Sequence, residues 1–97
     1  MSLLNMLETE DLVNEAESLV LAELEKQLEA AEDSVPHNTE AILDMATYAL
    51  NKVRPRYRVN LLGRLFSVAP DDTYQQEVSQ AVAEAIETVA ANPHLPE

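Results

Sequence analysis

A chain of 97 residues without cysteine makes one small domain that has neither a disulfide framework nor a thiolate metal site. Eighteen acids against six Lys and Arg give a net charge of −12, and the single glycine excludes the glycine-rich loops that cradle phosphates in P-loop and dinucleotide-binding folds. One Phe, three Tyr and no Trp leave the core to Leu, Val and Ala. A domain of this size buries only about 60 to 65% of its unfolded surface, so shared burial in a dimer would add to a thin stability.

The N-terminus, MSLLNMLETE, has no basic residue and no long apolar run. It predicts neither a signal peptide nor a membrane span, and hence a cytoplasmic protein. Helical periodicity follows in three places, with no strong alternating strand. The first helix is predicted from about Glu10 to Ala31, with Leu12, Val13, Ala16, Leu19, Val20, Leu24 and Ala31 on one stripe and Glu10, Glu15, Glu25 and Glu29 outside it. Leu21 and Leu28 widen the stripe toward that of a helix with two neighbours, one of which can belong to another subunit.

EDSVPHN, residues 32–38, reads as a loop, since Pro36 disfavours helix at Val35 and Asn38 or Thr39 offers an N-cap oxygen. The second helix starts near Glu40 and ends before Pro55, with Ile42, Leu43, Ala46, Ala49, Leu50 and Val53 as its apolar face. Asp44, Tyr48, Asn51 and Lys52 form a second, polar face with Tyr48 pointing away from the core. RYRVNLLGRLFSVA, residues 56–69, reads as a short irregular or extended piece turning at Gly63 before an apolar run. The third helix starts at Asp71 or Asp72, buries Tyr74, Val78, Ala81, Val82, Ala85, Ile86 and Val89, and closes near ANP, before the tail NPHLPE. The whole is a single all-α domain of three to four helices over residues 1–97, with 1–9 and 93–97 expected to be loosely ordered.

The charge is not spread evenly. Lys52, Arg54, Arg56, Arg58 and Arg64 form a +5 island with no acid from Met45 to Pro70, while the eighteen acids and Lys26 elsewhere sum to −17. Catalytic readings find no support beside it. No serine lies in a G-x-S-x-G elbow, and His37 and His94 sit in a loop and a tail, poor places to hold a base against a nucleophile. His37 with Asp33 and Glu40 has no second soft ligand for zinc, so no metal site is expected.

Three explanations compete for the island. Its cations can complement a helix dipole and pair with neighbouring acids, at about 0 to 1 kcal/mol for each exposed pair. They can form a polyanion surface, although the net −17 elsewhere would repel a long nucleic acid, and no nucleic-acid partner is expected. Or they can hold a compact anionic ligand, which touches the island and avoids the acidic flanks. Arginine suits that ligand doubly, because its fork pairs with phosphate or with the guanine O6 and N7 edge and its face, like that of Tyr57, stacks on a base.

LVNEAESLVLAEL at 12–24, YALNKVRPRY at 48–57 and VSQAVAEAIETVAANP at 78–93 together resemble the ComFB family, named for a late competence protein. The resemblance implies a small helical homodimer without enzymatic activity. It also implies, from cyanobacterial members especially, a receptor for the second messenger cyclic di-GMP. Through the family's ALN-basic-x-x-Pro-x-Tyr signature it reaches Asn51, Lys52, Pro55 and Tyr57; Arg54, Arg56, Arg58, Arg64 and Tyr48 come from the chemistry of the island itself. Asp44 is a candidate acceptor for guanine N1 and N2. Two departures stand out: the loop EDSVPHNTEA lacks the cysteines that bind structural zinc in some members, and RVNLLGRLFS is more apolar than expected of the family. The expectation is therefore a cytoplasmic, homodimeric receptor that binds cyclic di-GMP through residues 52–64, without a further cofactor, and relays to a protein such as a transcription factor. The alternative is a ligand-free acidic module that docks a regulator protein.

Overall fold

Asn14 starts the first long helix. Its side-chain oxygen accepts from the Ala16 amide at 3.1 Å, the bond that an N-cap residue supplies to an otherwise unpaired helical N–H. The computed structural model describes residues 2–6, 12–59 and 71–91. A single turn, α1 (Leu3–Met6), precedes strand β1 (Leu12–Asn14), which leads directly into α2 (Glu15–Ala31). A 3-10 turn (Glu32–Ser34) connects to α3 (Thr39–Lys52), strand β2 (Tyr57–Val59) follows, and α4 (Asp72–Ala91) completes the described chain.

The predicted start at Glu10 is corrected by the strand pairing. β1 and β2 run antiparallel with Leu12 opposite Val59, Val13 opposite Arg58 and Asn14 opposite Tyr57. Leu12 and Val13 fit a helical stripe by spacing, but their backbone lies in a ladder, and Leu12 is 61% exposed. The extended segment expected after the second helix is β2. The rest of RYRVNLLGRLFSVA, the beginning of the predicted first helix and the tail from Asn92 lie outside the described residues.

Three helices enclose one core. From α2 it takes Ala16, Val20, Leu24 and Leu28, spaced four apart on one line; from α3, Ala41, Met45, Ala46 and Ala49, with Val53 just beyond. From α4 it takes all seven residues of the predicted face, Tyr74 to Val89. The alanines of α3 and α4 leave little side-chain bulk between the two backbones, which permits close approach. The buried face of α3 is turned from the expected one: Met45 is fully buried, Ile42 and Leu50 are half-buried against the core, and Leu43 is 60% exposed. Leu21, expected to widen the stripe of α2, is 51% exposed.

Side chains also cap the starts of α3 and α4. Asn38 caps α3 by accepting from the Ala41 amide at 2.8 Å, and Asp71 caps α4 by accepting from the Tyr74 amide at 2.8 Å. At the end of α2, Glu32 turns the chain with φ of 53°, a left-handed value that glycine adopts at lower cost. Among the described residues no helix is long and apolar enough to cross a membrane.

Candidate functional site

The chain leaves α3 at Val53, whose backbone is extended, and Pro55 disfavours helix at Arg54. An arm without helix or ladder must satisfy its backbone elsewhere, and here side chains of two other helix starts do so. The Arg54 amide donates to Glu77 Oε2 at 2.7 Å, and the Tyr74 hydroxyl donates to the Arg54 carbonyl at 2.5 Å. The Arg56 amide donates at 2.8 Å to the same Asn14 oxygen that caps α2, while the Arg56 carbonyl accepts from the Glu15 amide at 2.7 Å. Residues 54–56 are thereby pinned between the N-termini of α2 and α4.

The arm's side chains are arranged around one ring. The Arg54 and Arg56 guanidinium carbons lie 5.4 and 5.2 Å from the centre of Tyr74, within cation–π range. Arg54 Nε also donates to Glu77 Oε1 at 2.9 Å, and its side chain nevertheless remains 66% exposed. The backbone hydrogen bond from Arg54, then its side-chain bond and charge, outweigh partial burial and hold the Glu77 carboxyl below its ordinary value. Burial and the neighbouring Glu77 charge raise the Tyr74 hydroxyl, against the opposing pull of Arg56 and Arg54, so it stays protonated and donating at neutral pH.

The other expected residues fall into two further places. Tyr48 is half-buried against the core rather than pointing away from it, because its hydroxyl reaches across to α4 and donates to Glu84 Oε1 at 2.9 Å. Lys52 Nζ lies 4.0 Å from the same oxygen and 5.4 Å from the Tyr48 ring. Arg58 points to the opposite side of the β1–β2 ribbon from Tyr57 and pairs with Glu15 Oε1 at 3.3 Å through its Nε. Tyr57 is 63% exposed, and Asn51 and Asp44 are exposed on α3. Arg64 lies outside the described residues.

The structure thus brings Arg54 and Arg56 together, places Tyr57 one residue further on, and sets Lys52 with Tyr48 along α4. A depression of about 500 Å³ beside Lys52 is lined by Glu77, Gln80, Glu84 and Glu87 as well, three carboxylates to one ammonium, and is therefore unsuited to a phosphate. The cationic surface is the arm. Among the described residues no three His, Cys, Asp or Glu side chains come together to hold a metal ion.

Four residues that organise this region were not among the predicted ones. Asn14 had a signal, an N-cap type directly before a helix with acids in its first turn. Tyr74 was predicted as core, and its ring serves both the core and the arginines. Glu77 and Glu84 are two turns apart on α4, and nothing in their spacing distinguishes them from the other acids of that helix.

Comparison with known families places this arrangement. The family model described as late competence development protein ComFB matches residues 13–93, which takes in all of β1 but Leu12, all three long helices, the arm and β2. No curated protein and no solved structure matches.

Proposed function

The chain belongs to the ComFB family, and on that premise we propose that it is a non-enzymatic receptor for cyclic di-GMP, with the arm and the residues flanking it, 52–58, as the binding surface. The observation that supports this most is the paired placement of Arg54 and Arg56 over Tyr74 beside an exposed Tyr57. Arg54 meets Glu77 through Nε and its backbone amide, and its exposed end offers donors to a phosphate. Arg56 lies next to it on a backbone that is already fixed, so little ordering is needed on binding. Tyr57 offers a face to a guanine, a contact worth about 1 to 3 kcal/mol per base. Asn51 and Lys52 stand at the end of α3 as a polar contact and a point charge. Arg58, held by Glu15, and Tyr48, held by Glu84, would exchange or share those carboxylates to reach a ligand. Ligand bound at an interface between two subunits would shift their arrangement by its differential affinity for the two states.

One observation favours the second reading, a module without a small ligand. Lys52, Arg54 and Arg58 each already face a glutamate, the arrangement expected if the island only ties the helices together. Thermal unfolding separates the two. A receptor gains RT ln(1 + [L]/Kd), about 2.7 kcal/mol at one hundred times Kd, or roughly 10 to 20 °C for a domain of this size. We expect that gain with cyclic di-GMP and none with cyclic di-AMP or GTP. An unchanged melting temperature with all three would favour the module.

A further inference from the structure

At the other end of the bundle from the arm, α2 and α3 leave a groove of about 290 Å³ between them. It is lined by Leu21, Leu24, Leu28 and Ile42 together with Glu25, Glu29 and His37, and Leu24 and Leu28 also belong to the core beneath it. Leu21 is 51% exposed, and on α3 Leu43, the residue after Ile42, is 60% exposed. Leu21, Leu24 and Leu28 fall at i, i+3 and i+7, and Glu25 and Glu29 at i+4 and i+8, so one apolar ridge runs beside one acidic ridge over about 10 Å of helix.

We infer that this groove docks the apolar face of a basic amphipathic helix from a partner protein. The spacing of the ridge matches two turns of a helix that presents residues at i, i+3 or i+4, and i+7. The partner's sign follows from the lining: the exposed carboxylates of Glu25 and Glu29 outnumber His37, the other ionisable residue there, so Lys or Arg beside the partner's apolar stripe gains charge complementarity as it lands. A second copy of this chain is the poorer occupant. It would set another acidic surface against Glu25 and Glu29, in a protein whose net charge is already −12. An area this small makes a weak, reversible contact, as a signalling encounter requires. Along α2 the groove's residues lie six (Leu21) to fourteen (Glu29) positions beyond Glu15 at the arm, about 9 to 21 Å, so no residue is shared and this inference does not depend on nucleotide binding.

The test titrates the full chain into a labelled synthetic helical peptide with Leu at i, i+3 and i+7 and Lys on either side, followed by fluorescence anisotropy. A counterpart with Glu in place of Lys is run beside it. The Lys peptide should bind saturably and the Glu peptide should not. Leu21→Gln, at an exposed position where the fold does not need leucine, should weaken binding about fivefold or more. Glu25→Gln with Glu29→Gln should slow association and flatten its salt dependence. Glu87→Gln on α4 removes a charge away from the groove and should change nothing. Absent binding, equal binding of both peptides, or equal weakening by Glu87→Gln and by the groove double variant would overturn the inference. So would a homodimer that Leu21→Gln dissociates, since the occupant would then be a second copy.

Discussion

Asn14 holds two segments with one oxygen, capping α2 and accepting from the Arg56 amide. Removing it orphans two N–H groups at once. Loss of an N-cap alone costs about 0.5 to 2 kcal/mol, and the second amide adds to that. Asn14→Ala should therefore lower stability by about 2 kcal/mol and the melting temperature by roughly 8 to 16 °C. Asn14→Asp keeps the acceptor and adds a charge suited to the helix N-terminus, so it should retain most of the stability. Equal losses in the two variants, compared by thermal unfolding, would show that the oxygen is not what matters. The residue scale is also where the sequence was least informative. Lys52, Arg54, Arg56 and Arg58 are visible as an island, but which glutamates meet them depends on how α4 lies against the exit of α3. The eighteen acids supply many candidates, and only the folded arrangement selects Glu15, Glu77 and Glu84.

Among the elements, α4 was legible throughout because its apolar positions admit one face, whereas α3 was not. Ala41, Met45 and Ala49 form one line and Ile42, Ala46 and Leu50 the adjacent one, and alanine fits a buried or an exposed position alike. Packing against α4 decides between them and leaves Leu43 outside. The start of α2 was misread for a related reason: Leu12 and Val13 continue the helical spacing, and their pairing with Val59 and Arg58 is a long-range fact that local pattern does not carry. The end of α2 supports a prediction. Glu32 at φ of 53° carries a conformational cost of order 1 kcal/mol that glycine would avoid, less the entropy glycine loses on folding. Glu32→Gly should raise the melting temperature by a few degrees, and a lowered one would mean that the Glu32 side chain contributes more than its backbone costs. The arm has a pH dependence of fixed sign. The Glu77 carboxyl is held below its ordinary value near 4.5, so its contribution is complete above that value and is lost as pH falls through the folded value. Between pH 7 and pH 3 the melting temperature of Glu77→Gln should fall less than that of the wild type. An equal fall in both would remove Glu77 from the account.

At the scale of the whole molecule, a three-helix core built largely of Ala, Val and Leu carries two distinct surfaces at its ends. One is a cationic arm fixed between two helix N-termini, and the other is an apolar groove rimmed by acids. The ComFB family match takes in both ends, and the proposal of cyclic di-GMP as ligand rests on what the family resemblance implies, with the arm's chemistry in support. The most direct measurement of that reading is calorimetric titration of the wild type and of Arg56→Ala with cyclic di-GMP at physiological salt. Arg56 contributes its backbone to the fold and its side chain to the arm's surface, so alanine removes the latter and keeps the former. A charge-assisted contact is worth about 1.5 to 3 kcal/mol, and the account predicts saturable binding by the wild type, weakened roughly tenfold to a hundredfold in Arg56→Ala. No heat with the wild type, or the same affinity in both proteins, would contradict it.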